Sequence, residues 1–305
     1  MDTLGISVVV VLQNCADLVP TALGHLEQQT LPAVRYEIIA VDNGSTDNTI
    51  PVLERYSAGA PVRIHVLDAG RKSIAKARNL GLERAHGRWV VFIDQGVLAS
   101  PNLLERYARE FESGPAQAWL LGPVVPHPQL PANRLTRQSF QAGLNSIADE
   151  ARLRPVEWHG YNFAAARSLL RDQGGFDETL GDHFLEVALA HKLANAGVIG
   201  RLAPKAYVYE WRPAKFDEER IRFYTRGYDL FRLEAALGNS LEDLRPDTQG
   251  VKWNVHRAMM PFYVRACRNA DADLRYAGPM FRRVLLNEMH RGYQDARKGR
   301  PARST

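Results

Sequence analysis

Cysteine is nearly missing from this chain, which has two cysteines, Cys15 and Cys267, among its 305 residues. Two thiols exclude a disulfide framework and any metal cluster built on several cysteine ligands. Such scarcity is typical of a reducing compartment. We therefore predict a cytoplasmic protein in which both cysteines are small buried residues.

Long hydrophobic runs are also missing. The apolar run Ile6 to Leu12 is far shorter than a membrane span, and no basic cluster precedes it. We therefore expect neither a signal peptide nor a membrane anchor. A composition of 45% hydrophobic and 24% charged residues excludes a disordered or collagen-like chain and is typical of a soluble globular protein.

Basic charge is concentrated at one end of the chain. Residues 251–305 contain 12 Lys/Arg and 4 Asp/Glu, a net charge of +8, which leaves −3 for residues 1–250. A mildly acidic body argues against nucleic acid as a partner. Trp253, Phe262, Tyr263 and Phe281 accompany this charge and suggest peripheral attachment to an anionic membrane, at its inner face. The alternatives are an acidic partner, a solvated basic face, or aromatic side chains that pack the extension onto the body.

Strands and helices alternate over the first 125 residues, which predicts parallel βαβ units. The predicted strands are Ile6 to Leu12, Tyr36 to Asp42, Val62 to Leu67 and Trp89 to Asp94. The predicted helices are Leu18 to Gln29, Thr46 to Tyr56, Ser73 to His86 and Ser100 to Ser113. A proline-rich loop from Leu121 to Trp158, a helix from Phe184 to Ala196, a strand from Lys205 to Trp211 and a mostly helical remainder follow.

Carboxylates end three of the four strands, at Asp42, Asp68 and Asp94. In parallel sheets the ligand lies beyond the carboxyl ends of the strands. Acceptors there could hold ribose hydroxyls, a base N–H or a divalent cation, and Gly44 and Gly96 allow close approach of the backbone. The alternative is that Asp42 and its neighbours form only a turn and a helix cap.

A series of segments in a fixed order favours the first interpretation. They are Val41 to Thr49, Gly70 to Gly81, Gly87 to Asp94, Asn162 to Arg167, Gly174 to Glu178 and Ala188 to Gly197. Together, over about residues 5–235, they resemble family 2 glycosyltransferases. The resemblance implies an α/β GT-A fold, a mostly parallel Rossmann-like sheet flanked by helices, over residues 1–215 and a helical extension over 216–305. A dinucleotide-dependent oxidoreductase is set aside, since no Gly-x-Gly-x-x-Gly follows the first strand.

The resemblance also assigns roles to residues of the donor site. It places Asn14 and Asp42 at the nucleoside, and Arg78 on the nucleotide side of a nucleoside-diphosphate sugar. Asp94 takes the first position of the family's Asp-x-Asp motif, which contacts the ribose and the diphosphate-bound metal.

Two positions depart from the family pattern, since Gly96 replaces the second aspartate and Glu210 stands where many relatives have a metal-binding histidine. Charge on the departing diphosphate must still be neutralised. Asp94 and Glu210 could hold Mg²⁺ or Mn²⁺, and we expect weak binding that depends on the donor. The alternative is a set of cations near the start of a helix: Arg71, Lys72, Lys76 and Arg78.

The resemblance also implies a catalytic base in an acidic pair before the segment that ends at Gly197, and this places the base at Glu186. Asp182 and His183 are reserves, and the competing interpretation is that Glu186 only favours the first turn of its helix. The resemblance implies an inverting glycosyltransferase, of hexosyltransferase type, acting on an acceptor hydroxyl. The two departures also leave open a catalytically impaired nucleotide-binding or scaffolding protein.

Overall fold

A computed structural model describes most of the chain. The described residues are 5–70, 73–114, 118–129, 152–211, 215–238, 241, 244–245, 251–269 and 278–302. They form two compact units: residues 1–127, 144–179 and 185–212 belong to the first, and 128–143, 180–184 and 213–305 to the second. The domain boundary drawn from the sequence between residues 215 and 216 stays a prediction.

The central sheet of the first unit is built from the runs of β-branched residues. Strands β1 (Ile6–Leu12), β2 (Tyr36–Asp42) and β4 (Trp89–Asp94) begin and end where the sequence predicts, and β3 (Arg63–Asp68) is displaced by one residue. Every residue of β1 and β2 is buried. Such continuous apolar runs are what a strand covered on both faces requires.

Seven strands make this sheet, in the order β3-β2-β1-β4-β8-β6-β9. The first four run parallel, as predicted, whereas β8 runs antiparallel to both β4 and β6. A second sheet has the order β5-β10-β7. The strands not yet defined are β5 (Val97–Ala99), β6 (Ala118–Leu121), β7 (Val124–Pro126), β8 (Asn162–Ala166), β9 (Ile199–Leu202) and β10 (Val208–Glu210).

Five of the helices that flank the sheet lie at predicted places, with bounds that differ by a few residues, and a sixth, at Arg167–Asp172, was not predicted. In the first unit they are α1 (Val19–Glu27), α2 (Thr49–Ala58), α3 (Ile74–Arg84), α4 (Leu103–Ser113), α5 (Arg167–Asp172) and α6 (Leu185–Asn195). Single 3-10 turns cover Ala33–Arg35 and Pro155–Glu157. This sheet with its flanking helices confirms the α/β, mostly parallel fold class.

Two sequence-based bounds need correction. Helix α2 begins at Thr49 instead of Thr46, because Asp47 Oδ1 accepts a hydrogen bond of 3.0 Å from the Thr49 amide and holds the preceding residues as a loop. The loop predicted from Leu121 to Trp158 contains strand β7, which pairs with β10, although residues 130–151 of it lie outside the described residues.

The second unit is helical, as predicted. Its described helices are α7 (Phe216–Leu237), α8 (Val251–Ala258), α9 (Met260–Asn269) and α10 (Gly278–Arg297). Tyr263 and Phe281 are buried in one apolar cluster with Phe216, and Trp253 is also buried, whereas Phe262 is 57% exposed. Three of the four aromatic residues are thus unavailable to a lipid surface, and the membrane interpretation is not supported. Among the described helices, none combines the length and hydropathy that a membrane crossing requires.

Candidate active site

The carboxyl ends of the parallel strands meet along one edge of the sheet, which we call the donor rim. Asp42 is the pairing partner of both Leu12 on β1 and Asp68 on β3, and Asp94 pairs with Val11. The three strand-ending carboxylates therefore stand in neighbouring rows at one edge. This placement follows from parallel register alone.

Asp42, the last residue of β2, and Asn14, which follows β1, both form hydrogen bonds to the loop after β2. The Asp42 carboxylate is fully buried and accepts hydrogen bonds from both the amide of Ser45, at 2.9 Å, and the Ser45 hydroxyl. The exposed Asn14 has a φ of 48° and accepts the amide of Thr46 at 2.7 Å through its side-chain oxygen. Both side chains fix the loop that follows β2. These contacts show that the segment forms a turn, and the role of Asp42 and Asn14 at the nucleoside stays a prediction.

Arg78 lies at the centre of the site, between two carboxylates. Its guanidinium donates one hydrogen bond to Glu186 and another of 2.7 Å to Asp94, and it lies 3.4 Å from the carbonyl of Gly160. Its side chain is 3% exposed, that of Glu186 9% and that of Asp94 31%. One buried cation thus connects the rim residue Asp94 with the candidate base. The sequence predicted all three residues but not this connection.

The surroundings of Arg78 stabilise its charge. Burial alone would lower the pKa of Arg78, but attraction from Glu186 and Asp94 outweighs it and raises the pKa above its usual value. The guanidinium carbon also lies 5.2 Å from the ring centre of Phe176 and 5.9 Å from that of Phe163. Cation–π attraction of this kind strengthens where water is excluded.

Asn79 explains why two distant motifs occur together. Its side-chain amide donates to the carbonyl of Phe176 at 3.0 Å, and its oxygen accepts the amide of Phe176 at 2.9 Å. This pair of bonds attaches the segment Gly174 to Glu178 to helix α3. The aromatic wall beside Arg78 is therefore placed by the residue next to Arg78 in sequence.

Gly160 is a site residue that the sequence did not reveal. A side chain there would collide with the Glu186 carboxylate and with the Arg78 guanidinium. The glycine is required because the backbone passes directly over this ion pair. It follows two aromatic residues in a segment without a recognisable motif, so only the three-dimensional contact identifies it.

Glu210 lies on β10, which pairs with β5, the strand that begins three residues after Asp94. Glu210 pairs with Val97, and the amide of Trp211 donates to the carbonyl of Gly96 at 3.1 Å. Gly96 has a φ of 94°, which suits glycine and lets the chain turn directly after Asp94. Carboxylate oxygens are the type of ligand that Mg²⁺ and Mn²⁺ take, and the role of Asp94 and Glu210 as metal ligands stays a prediction.

The other candidate residues are placed less centrally. Lys76 is exposed in the first turn of α3, where its amide donates to Ser73 Oγ at 3.3 Å. Arg71 and Lys72 lie outside the described residues. Asp182 is exposed and belongs to the second unit, whereas Glu186 belongs to the first with Arg78 and Asp94.

A different set of ligand atoms converges at the opposite end of the strands. Oxygen or nitrogen atoms of Glu37, His65 and His86 lie within 4.8 Å of one another. Arg84 donates to His65 Nδ1 at 3.0 Å and lies 3.4 Å from His86 Nε2. The positive charge at this cluster is therefore the Arg84 guanidinium. Because Glu37 is the second residue of β2 and Asp42 is its last, the cluster is separate from the donor rim.

Comparison with known sequences identifies the family. The sequence pattern described as Glycosyl transferase family 2 matches residues 7–173, more than half of the chain. The chain belongs to glycosyl transferase family 2. The match contains Asn14, Asp42, Arg78 and Asp94 and ends before Glu186.

Curated relatives of this family 2 chain match it over its first part. Validoxylamine A glucosyltransferase of Streptomyces hygroscopicus subsp. jinggangensis is 33% identical over 133 residues, which is 41% of this chain and 31% of the relative. Poly(ribitol-phosphate) beta-N-acetylglucosaminyltransferase TarS of Staphylococcus aureus is 31% identical over 88 residues, 29% of this chain and 15% of the relative. The chain thus spans less than a third of the length of these relatives.

Solved structures show the same fold over nearly the whole family 2 chain. The mannosyltransferase PcManGT of Pyrobaculum calidifontis, in complex with GDP-Man and Mn²⁺, has a TM-score of 0.69 and 20% identity, covering 97% of this chain and 88% of that one. TarS residues 1–349 of S. aureus with UDP-GlcNAc gives a TM-score of 0.55 and 18% identity, covering 98% and 93%. The predicted GT-A fold is therefore confirmed.

Proposed function

We propose that this chain is an inverting glycosyltransferase that moves a sugar, most simply a hexose, from a nucleoside diphosphate to an acceptor hydroxyl. The observation that carries the proposal is the buried Arg78, which joins Asp94 to Glu186. A chain that only bound nucleotide would need Asp94 but no second carboxylate held beside it. The arrangement therefore favours an enzyme over a scaffolding protein.

Each site residue has a distinct part in the reaction. Asp42 and Asn14 bind the nucleoside, and Asp94 contacts the ribose. The acceptor oxygen forms a bond to the anomeric carbon as the bond from that carbon to the diphosphate breaks. Glu186 takes the hydroxyl proton, and the diphosphate leaves with the electron pair. Attack opposite the leaving group inverts the anomeric carbon.

Arg78 is a positioning residue in this scheme. With 3% of its side chain exposed and its donors directed at Asp94 and Glu186, it orients the two carboxylates. A hydrogen bond from a charged donor holds a carboxylate more firmly than a hydrogen bond from a neutral donor does. The direct contact of Arg78 with the diphosphate, implied by the resemblance, stays a prediction.

Asp94 and Glu210 would hold a divalent cation that neutralises charge on the leaving diphosphate. PcManGT, a structural neighbour, is complexed with Mn²⁺. Two carboxylates bind such an ion weakly, so the donor's own phosphate oxygens are expected to complete its shell.

Excess chelator is therefore expected to abolish most transfer, and added Mg²⁺ or Mn²⁺ to restore it. Calorimetry without donor should show little binding of either ion to the free protein. The matched variant is Glu210→Gln, which should raise the metal concentration needed for half-maximal rate. Full activity in chelator would assign neutralisation to the cations near the start of α3 instead.

Asp42→Ala is expected to weaken donor binding by about 1.5 to 3 kcal/mol, since a charge-assisted hydrogen bond to the nucleoside is lost. Asp42 also holds Ser45, whose hydroxyl accepts the Asn14 amide at 2.9 Å, so the control Ser45→Ala measures what these loop contacts contribute while the carboxylate is kept. Calorimetry with uridine-, guanosine- and thymidine-diphosphate sugars measures both variants. Equal losses in the two variants would mean that Asp42 acts through the loop alone.

A screen of nucleotide sugars tests the function as a whole. Binding at a hundred times the dissociation constant stabilises a protein by about 2.7 kcal/mol, which a thermal shift detects. The donor found in this way is then offered with alcohol and sugar acceptors, and the anomeric configuration of the product is read by NMR. A product that retains the donor's configuration would contradict inversion, and the absence of any donor shift would contradict the proposal itself.

A further inference from the structure

Three arginines meet at the edge of the sheet opposite the donor rim, which we call the amino rim. Arg35 directly precedes β2, Arg88 directly precedes β4, and Arg167 directly follows β8. Because β8 runs antiparallel, its carboxyl end lies where the parallel strands begin. The reversed strand therefore carries Arg167 to the same edge as the other two.

The strand register shows how close these residues are. Tyr36, Ile6, Trp89 and Ala166 form one row across the four strands. The next row outward is Arg35, Gly5, Arg88 and Arg167, and the amide of Arg167 donates to the carbonyl of Arg88 at 3.0 Å. Neighbouring strands are about 4.8 Å apart, so the outer two arginines are separated by about 14 Å of backbone. The Arg35 guanidinium lies against Gly5, where an added side-chain carbon would be 3.8 Å from its nearest nitrogen.

A cavity of about 790 Å³ lies at this edge. The three arginines line it together with His86, and Glu112 is the one carboxylate among its described lining residues. The stacked rings of Trp89 and Phe111, 3.8 Å apart, also line it. Volumes of this size are typical of sites for small molecules, whereas a bilayer surface fits a flat or convex face better.

The described residues that line this cavity carry a net positive charge, since three arginines stand against the single carboxylate of Glu112. None of the three arginines forms an ion pair with a described residue. Arg88 lies over the ring of Trp89 at 5.0 Å, and Arg167 gives one N–H to the carbonyl of Ala85 at 2.8 Å. Among the described residues, no carboxylate accepts a hydrogen bond from these three guanidinium groups. Guanidinium groups gathered in this way match oxyanions, which they bind through paired N–H groups.

We propose that the amino-rim cavity is a second binding site, for a small ligand with closely spaced phosphate groups. It is separate from the donor rim, because strands of seven residues place the two edges about 20 Å apart. It does not rest on the proposed function. A ligand there would contact the ends of β2 and β4 that lie away from Asp42 and Asp94.

Inorganic tripolyphosphate is the probe, titrated into the full chain by calorimetry at low salt and in chelator, so that no metal mediates binding. Arg35→Gln and Arg88→Gln should each weaken binding about tenfold or more, since each removes a charge-assisted contact. Both residues are exposed, and unchanged thermal unfolding would show that the variants fold. Arg55→Gln removes the same charge from exposed helix α2 and should leave binding unchanged.

Three results would overturn the proposal. They are no binding of tripolyphosphate by the unchanged chain, equal weakening by Arg55→Gln, and loss of binding in Lys76→Gln, which would assign the probe to the cations near the start of α3. Vesicles with anionic phospholipid form the last arm of the test. If tripolyphosphate does not bind, arginine-dependent binding to these vesicles would show that the arginines serve a surface and not a small ligand.

Discussion

Glu186→Gln is expected to lower sugar transfer by about 10²- to 10⁴-fold, with donor affinity nearly unchanged. Glutamine keeps the size of the side chain and an oxygen that can accept from Arg78, but its amide cannot take a proton from the acceptor. The loss should therefore appear in kcat. Steady-state kinetics and calorimetry with the donor measure the two effects separately.

Asp182→Asn is the matched control, since it removes another carboxylate four residues earlier. Asp182 is exposed, and Arg78 ties Glu186 and not Asp182 to Asp94. We expect nearly full transfer in this variant. Near-normal turnover in Glu186→Gln together with a large loss in Asp182→Asn would move the role of base to Asp182. A fall in donor affinity in Glu186→Gln would instead indicate that the carboxylate supports the donor pocket.

Much of the first unit can be predicted from sequence because its central strands are continuous runs of apolar, mostly β-branched residues. β1 contains four consecutive valines and β2 has Ile38, Ile39 and Val41, and all of these residues are buried. Continuous burial on both faces leaves few alternative registers for such runs. The carboxylates at the strand ends then come to one edge by necessity, so the donor rim could be located before any coordinates.

The contacts within the site could not be predicted, since they join residues far apart in the chain. Arg78 and Glu186 are separated by 108 positions, and their pairing depends on how helices α3 and α6 approach each other. Nothing local to Arg78 distinguishes it from the exposed Lys76 two residues earlier. Burial separates them, and burial is a property of the packed fold. The same holds for Gly160. A side chain at this position is excluded only because the folded chain places the Glu186 carboxylate against it.

The direction of β8 is the other feature that sequence could not supply. Its segment, Asn162 to Ala166, is compact and apolar, which fits a strand of either direction. A parallel strand would have placed Arg167 at the donor rim, beside the diphosphate. The antiparallel pairing with β4 instead places Arg167 at the amino rim and, at the other end of the strand, holds Asn162 opposite Ile93, next to Asp94. One reversal therefore shapes both edges of the sheet.

The second large effect is expected from Arg78→Met, which should lower the free energy of unfolding by about 3 to 5 kcal/mol. Methionine fills much of the same space between Phe163 and Phe176 but leaves Glu186 buried without its cation. The cost is that of an uncompensated buried charge, not of lost packing. Urea denaturation of the full chain, followed by tryptophan fluorescence, measures it.

A second substitution separates these two causes. In the Arg78→Met background, Glu186→Gln removes the stranded charge, so the double variant should be more stable than Arg78→Met alone, although Glu186→Gln by itself destabilises the unchanged chain. Residues in direct contact are expected to show such non-additive energies, of about 0.5 to 3 kcal/mol. Simple addition of the two losses would mean that Arg78 contributes through its packing. In that case the connection between Asp94 and Glu186 would not depend on charge, and the arginine would be replaceable by a residue of similar shape.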